Sequence, residues 1–143
     1  MILYIEDNAQ NMRLVRKMLK VGGYEMIGAE DGTKGIEMAK SERPDLILVD
    51  INLPDIDGTE VTKRLKADSS FEGVPIIALT ANAMYGDRER FLDAGCDDYL
   101  SKPVGKQELL DMVGKHFDII EARKSGDDAQ ASEEDAPSVN VAS

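Results

Sequence analysis

Residues 46–58 read "LILVDINLPDIDG", a continuous apolar run followed by three aspartates, Asp50, Asp55 and Asp57. The run "LILV" has the length and continuity of a strand that is buried on both faces, as the strands of a parallel sheet are. Asp50 directly follows this run. Pro54 then ends the extended stretch, and "DIDGTEV" predicts a turn into a helix with Asp57 as its N-cap. The stretch therefore predicts a strand, a loop and a helix, with one acid at the end of the strand.

Outside this stretch, short apolar runs alternate with longer segments in which apolar residues recur at helical spacing. The predicted strands are residues 2–5, 24–29, 46–49, 75–79 and 98–101. Helices are predicted between them, including one from Ala83 to Ala94 that Gly86 interrupts. The last predicted helix carries its apolar stripe at Leu109, Val113, Phe117 and Ile120. Alternation of this kind predicts an α/β fold: a doubly wound, five-stranded parallel sheet with helices on both faces.

The charge of the chain is concentrated at its C-terminal end. The 143 residues carry a net charge of −11, and residues 125–143 hold five acids with no Lys or Arg. Such a segment has too few large apolar groups to offset the entropy of ordering. We therefore expect residues 1–124 to form one domain and residues 125–143 to form an acidic, disordered tail. A tail this short and polar also leaves no room for an output domain after residue 124.

Composition excludes several classes of partner and location. The negative charge repels nucleic acid and anionic membrane surfaces. Cys96 is the one cysteine of the sequence, so no internal disulfide forms and a reducing compartment fits. The apolar runs are far shorter than the roughly twenty residues that span a bilayer. Met1 leads directly into the first predicted strand without a basic leader. The sequence predicts a cytoplasmic protein that binds neither nucleic acid nor membrane.

Polar side chains follow the predicted strands where each one ends. Glu6 and Asp7 follow the first strand, Asp50 the third, Thr80 the fourth and Lys102 the fifth. The carboxyl ends of parallel strands lie at one edge of the sheet, so we expect these residues in one cleft. Clustered carboxylates suit Mg²⁺, which prefers oxygen ligands and keeps waters that phosphate oxygens can replace. With Lys102 and Thr80 able to hold phosphate oxygens, the cleft predicts phosphoryl transfer with Asp50 as the candidate nucleophile.

Four motifs stand at these strand ends in chain order: "IEDN", "LVDINLPDIDG", "LTANA" and "YLSKP". Together they resemble the receiver domain of bacterial two-component response regulators, over about residues 1–122. The resemblance implies a stand-alone, CheY-like regulator with the flavodoxin-like strand order 2-1-3-4-5. It also implies signalling rather than enzymatic turnover: the domain accepts a phosphoryl group from a phosphohistidine on a histidine kinase or histidine phosphotransfer protein, and it then switches its affinity for a downstream target protein. Its catalysis is limited to its own phosphorylation and dephosphorylation.

The resemblance assigns a metal site to the acidic residues. Asp50 is implied as the phospho-acceptor and as a ligand of Mg²⁺, and Asp7 as a direct ligand. Glu6 helps to hold the metal, through water. The family also uses the backbone carbonyl two residues after the acceptor, which here belongs to Asn52.

The resemblance also assigns residues to the phosphoryl group and to a switch. Thr80 is implied to hydrogen-bond the phosphoryl group, Ala81 to leave room for it and Lys102 to bind it. The peptide between Lys102 and Pro103 is expected in the cis form. Tyr99 stands where the family places an aromatic switch residue, which acts together with the hydroxyl of Thr80.

The sequence also allows two other interpretations. "DIDGT" at residues 55–59 reproduces the aspartate motif of haloacid dehalogenase-type phosphatases, with Asp55 as nucleophile and Asp57 as acid-base. That motif directly follows a buried strand, whereas "NLP" intervenes here. The second is a pseudo-receiver, which signals without phosphate, and the retained acids argue against it. His116 lies on the last predicted helix, far from the strand ends, and we expect it at the surface.

Overall fold

A computed structural model describes residues 1–81 and 87–129 of the chain. Strands and helices alternate along it as predicted. The strands are β1 (Ile2–Ile5), β2 (Met26–Ala29), β3 (Leu46–Asp50), β4 (Ile76–Thr80) and β5 (Asp98–Ser101). The helices are α1 (Ala9–Val21), α2 (Gly32–Glu42), α3 (Gly58–Lys66), α4 (Asp87–Ala94) and α5 (Lys106–Ala129), with a short 3-10 helix at Ser69–Phe71. The first part of the predicted helix from Ala83 lies outside the described residues.

The five strands form one parallel sheet in the order β2-β1-β3-β4-β5, which confirms the predicted fold class. Four strand boundaries differ from the sequence prediction. β2 begins at Met26 rather than at residue 24, because Met26 pairs with Ile2, the first residue of β1. β4 begins at Ile76 rather than at residue 75, and β3 and β4 each run one residue further, so Asp50 and Thr80 are the last residues of their strands.

Both faces of the sheet are covered by helices. Leu3 and Ile5 pack with side chains of α2 and α3, in a core cluster that includes Ala39, Val61 and Leu65. Side chains alternate along a strand, so Tyr4 of β1 points to the opposite face. There it borders a cavity that side chains of α1 also line. Burial on both faces explains why these strands read as continuous apolar runs.

Helix α5 departs from the sequence prediction in two ways. It extends to Ala129, beyond the boundary at residue 124, while residues 130–143 lie outside the described residues and the tail remains a prediction there. His116 is buried, with 7% of its surface exposed, so its expected place at the surface is wrong. It stands three residues after the buried Val113, on the same helical stripe.

The chain forms two compact units, of which the first is Met1–Asp111 and the second begins at Met112, within α5. The whole sheet and α1 to α4 belong to the first unit. Among the described residues, no helix combines the length and the apolar character that crossing a membrane requires.

The backbone at the start of α3 packs closely against the backbone at the end of β3. A Cβ on Gly58 would lie 2.5 Å from the carbonyl oxygen of Asp50 and 2.8 Å from the Cα of Ile51. Both atoms belong to the backbone, so neither can turn away. We expect Gly58→Ala to lower the free energy of unfolding by about 2 to 3 kcal/mol, measured by chemical denaturation.

Gly105→Ala is the matched control. A Cβ there would lie 3.1 Å from a carboxylate oxygen of Glu108, at the end of a flexible side chain. Gly105 is the N-cap of α5, where alanine is less favourable than glycine, so we expect this variant to lose about 1 kcal/mol or less, clearly less than Gly58→Ala. Equal stability of the two variants would show that the backbone at Gly58 can give way.

Candidate functional site

Three carboxylates meet at the carboxyl edge of the sheet. Glu6 and Asp7 directly follow β1, and Asp50 ends the neighbouring strand β3, where the pairing of Ile5 with Val49 brings them level. One oxygen of each lies within 4.8 Å of the others. Glu6 and Asp50 are buried, with 2% and 3% of their surfaces exposed, whereas Asp7 is exposed. The cluster therefore places two buried acids beneath one that solvent reaches.

Glu6 is the most heavily hydrogen-bonded member of this cluster. The Tyr4 hydroxyl and the Lys102 ammonium donate to its Oε1 at 2.8 Å and 3.0 Å, and the amide of Asn8 donates to Oε2 at 3.2 Å. Burial alone would raise the pKa of Glu6. The hydrogen bonds from Tyr4, Lys102 and Asn8 outweigh it, and the pKa of Glu6 falls below its ordinary value. Glu6 is therefore held as an anion.

Asp50 has the opposite electrostatic character. Burial, followed by the charge of Glu6, raises its pKa from 3.8 to about 6. Lys102, whose Nζ lies 3.3 Å from Asp50 Oδ1, opposes the shift, as does the amide of Asn52, which donates to the same oxygen at 3.2 Å. Asp50 is thus an ionised carboxylate at neutral pH that is less well stabilised than Glu6.

Lys102 brings a positive charge to the two buried acids. Its amide donates to the carbonyl oxygen of Thr80 at 2.8 Å, and the peptide bond to Pro103 is cis. Burial alone would lower the pKa of Lys102, but the hydrogen bond to Glu6 and the charge of Asp50 raise it. The lysine is therefore protonated across the physiological range of pH.

The remaining predicted residues lie on β4 and β5. Thr80 ends β4 and is buried, with 3% of its surface exposed. Ala81 follows it and lines a cavity of about 300 Å³ together with Lys102. Tyr99 of β5 is half-buried and packs against Phe91 of α4, with ring centroids 6.0 Å apart. Thr80 and Tyr99 thus stand on neighbouring paired strands.

The other two aspartates of the opening stretch start helices. Asp57 is the N-cap of α3 and accepts a hydrogen bond from the amide of Thr59 at 2.7 Å. Asp55 accepts hydrogen bonds from the first turn of α2. Within the described residues, the cluster of close carboxylates consists of Glu6, Asp7 and Asp50. This placement disfavours the phosphatase reading, in which Asp55 would be the nucleophile.

The sequence analysis did not identify Tyr4 as part of the site, although its hydroxyl donates a hydrogen bond to Glu6. It lies inside the apolar run of β1, where it reads as a core aromatic, and it is indeed buried. The available signal was its spacing: residues two apart on a strand share a face, so Tyr4 and Glu6 lie side by side. Burial and the charge of Glu6 raise the pKa of Tyr4, which stays protonated and donates.

Comparison with known proteins identifies the family. The model of the response regulator receiver domain matches residues 2–114. The chain belongs to this family. This receiver domain is 43% identical over 116 residues to the polar-differentiation response regulator DivK of Brucella anthropi, a match that covers 81% of this chain and 94% of the relative.

Solved structures of receiver domains share the fold. The receiver domain of a sensor histidine kinase from Pseudomonas aeruginosa is 41% identical, with a TM-score of 0.76, and the match covers 82% of this chain and 96% of the other. That structure has a magnesium ion coordinated in its active site cleft. A CheY-like receiver domain from Methanospirillum hungatei is 31% identical, with a TM-score of 0.78 and coverage of 85% and 96%.

The raised pKa of Asp50 predicts a pH-dependent cost to stability. The folded state binds the proton of Asp50 more tightly than the unfolded state, so wild type loses stability as the pH rises from about 4 to above 6. Asp50→Asn carries no such charge. Without divalent metal at about pH 8, we expect the free energy of unfolding of Asp50→Asn to exceed that of wild type by about 1 to 2 kcal/mol. The gain is smaller than the pKa shift alone implies, because Lys102 loses its negatively charged partner.

Denaturant titrations across this range of pH measure the effect. The difference between variant and wild type shrinks as the pH falls and Asp50 becomes protonated in both states. Asp57→Asn serves as the control, because asparagine is as good an N-cap as aspartate. A difference between Asp50→Asn and wild type that does not change with pH would contradict the assignment.

Proposed function

We propose that this protein is a phosphorelay receiver in which Asp50 accepts a phosphoryl group from a phosphohistidine on a histidine kinase or histidine phosphotransfer protein. One observation carries the proposal: Asp50 is a buried carboxylate beside two further acids and 3.3 Å from the ammonium of Lys102. Membership of the receiver family supports the same reading. The pseudo-receiver alternative leaves this arrangement of buried charges without a use.

The acids fit a divalent metal ion with oxygen ligands. Glu6, Asp7 and Asp50 each offer a carboxylate oxygen, and we assign the carbonyl of Asn52 to the same set. Mg²⁺ prefers such ligands and is bound through few protein groups. When bound, it offsets the charge of the carboxylates and of the phosphoryl oxygens during transfer. The magnesium ion in the related receiver from Pseudomonas aeruginosa supports this choice of metal.

The protein groups divide the chemistry among them. A carboxylate oxygen of Asp50 attacks the phosphorus in line while the bond from phosphorus to the histidine nitrogen breaks. Lys102 holds one phosphoryl oxygen with its ammonium, and the hydroxyl of Thr80 donates to another. Ala81, which has the smallest side chain after glycine, leaves space beside the group. Glu6 keeps its hydrogen bond from Tyr4, so Lys102 can turn to the phosphoryl group without leaving the buried carboxylate of Glu6 unpaired.

We further propose that phosphorylation is read by a partner protein in the cytoplasm. When the hydroxyl of Thr80 moves to the phosphoryl group, it vacates space that the ring of Tyr99 fills. Tyr99 packs on Phe91, so movement of its ring changes the surface that α4 and β5 present. A target protein that binds this surface distinguishes the two states. Phosphate thus acts as a ligand that shifts an existing equilibrium.

Acetyl phosphate labelling tests the acceptor. We expect Asp50→Asn to take up no phosphoryl group at saturating Mg²⁺, because Glu6, the other buried acid beside Lys102, has both of its oxygens held by hydrogen bonds within the protein. Asp55→Asn and Asp57→Asn should still be labelled at saturating Mg²⁺. The mass of the intact protein measures the uptake.

Chelation of the metal before acetyl phosphate is added should abolish uptake in every variant. The labelling pattern separates the rival functions. Labelling of Asp50→Asn together with loss in Asp55→Asn would support the phosphatase reading. Phosphohistidine on a purified histidine kinase should label the same residue faster than acetyl phosphate does.

The proposed switch predicts coupled movement at Thr80 and Tyr99. On adding Mg²⁺ and a phosphate mimic, we expect NMR shifts at Asp50, at Thr80 and at the ring of Tyr99. Thr80→Ala should lose the shift at Tyr99 and keep the shift at Asp50, because only the hydroxyl links them. Thr80→Ser retains the hydroxyl and should behave as wild type. Shifts that stop at Asp50 and its immediate neighbours in wild type would refute the coupling.

A further inference from the structure

The loop between β3 and α3, residues 51–57, carries the proposed metal-binding carbonyl of Asn52. Its base is closed by a hydrogen bond from the amide of Gly58 to the carbonyl of Ile51 at 2.9 Å. The amide of Asn52 donates to Asp50 at 3.2 Å, which ties the start of the loop to the proposed acceptor. Any movement of this loop therefore reaches the site directly.

Asp55 fastens this loop to α2. Its Oδ1 accepts from the amide of Gly32 at 2.8 Å, and its Oδ2 accepts from the amide and the hydroxyl of Thr33 at 2.9 Å and 2.7 Å. The hydroxyl of Thr33, followed by the two amides, holds the pKa of Asp55 well below its usual range. Asp55 is therefore ionised, and its charge lies at the positive end of the helix.

This contact is more than a helix cap. Helix α2 has an N-cap of its own, Asp31, whose carboxylate accepts from the amide of Lys34 at 2.8 Å. The carboxylate of Asp55 comes from a different loop, 22 residues or more along the chain. What Asp55 adds is a connection between two segments that are distant in sequence.

Apolar packing brings the same two segments together. A Cβ on Gly32 would lie 2.4 Å from Cγ1 of Ile56, so the loop rests directly on the first residue of α2. Ile56 and Leu53 pack against the core cluster beneath them. Apolar contacts hold the loop against the core, but they are not directional. The carboxylate of Asp55, held by three donors, sets the position of the loop along α2.

We propose that Asp55 is a positioning residue for the metal and phosphoryl site: by fastening the apex of the β3–α3 loop to α2, it holds Asn52 and Asp50 in the arrangement that binds Mg²⁺. The inference rests on the proposed function and adds a residue that the motif does not assign. A loop that is already ordered loses less conformational entropy when the metal binds. Loss of the tie should therefore weaken Mg²⁺ binding, with little effect on transfer once the metal is saturating.

Asp55→Asn is the test variant and Asp31→Asn its matched control. Asp55 accepts hydrogen bonds with both oxygens, so an amide group must turn its NH₂ toward a donor and lose at least one of them. Asparagine at position 31 still caps the helix. Both changes remove one negative charge at the same helix end. Thr33→Val removes the hydroxyl contact and keeps both charges.

Two measurements are made on the full chain. Amide hydrogen exchange without metal follows Gly32, Thr33 and residues 51–53 and 55–57, and a Mg²⁺ titration followed by NMR gives the dissociation constant. In Asp55→Asn we expect faster exchange at these amides and about fivefold weaker Mg²⁺ binding, as the loss of one hydrogen bond predicts. Thr33→Val should change both in the same direction, and Asp31→Asn should match wild type.

Each other outcome overturns the proposal. Unchanged exchange in Asp55→Asn would show that the tie does not order the loop. Faster exchange with unchanged Mg²⁺ affinity would make the tie purely structural. Equal weakening in Asp31→Asn, or no change in Thr33→Val, would assign the effect to charge. If wild type binds no Mg²⁺, the proposed function itself fails; if wild type binds and Asp55→Asn binds equally well, only the role of Asp55 fails.

Discussion

The ammonium of Lys102 lies 3.0 Å from Glu6 and 3.3 Å from Asp50, and the fold brings this half-buried cation and two buried acids together. Glu6 and Lys102 are 96 positions apart in sequence and follow different strands of the sheet. Removing a charge from water costs several kcal/mol unless opposite charges and hydrogen bonds compensate it, so the three must be placed accurately. Parallel pairing of strands achieves this, because it aligns their carboxyl ends at one edge.

The two buried acids differ because their hydrogen-bond donors differ. Glu6 receives the hydroxyl of Tyr4 and the amide of Asn8 in addition to Lys102, and its pKa is lowered. Asp50 has fewer donors and faces the charge of Glu6, and its pKa rises to about 6. Neighbouring carboxylates with opposite shifts have different chemical uses. In the proposed function, Glu6 is a fixed charge and Asp50 is the group that reacts.

The three aspartates of residues 46–58 have three different structural roles. Asp50 closes β3 inside the acidic cluster, and Asp57 caps α3. Asp55 reaches across to α2, which makes the loop part of a connected unit rather than a mobile link. The loop carries groups proposed to bind metal, so the metal affinity of the site depends on how well the loop is ordered.

The sequence alone determined the fold class, the strand positions to within two residues and the cleft residues, because continuous apolar runs followed by polar groups specify parallel strands and their ends. It also identified Asp57 as a helix cap, which depends on local spacing. Only the tertiary structure determined which side chains contact one another across the fold. The hydroxyl of Tyr4 on Glu6 and the partners of Asp55 depend on side chains brought together by packing. Local propensity cannot specify such contacts, because the partners are chosen by the register of the sheet and the position of its helices.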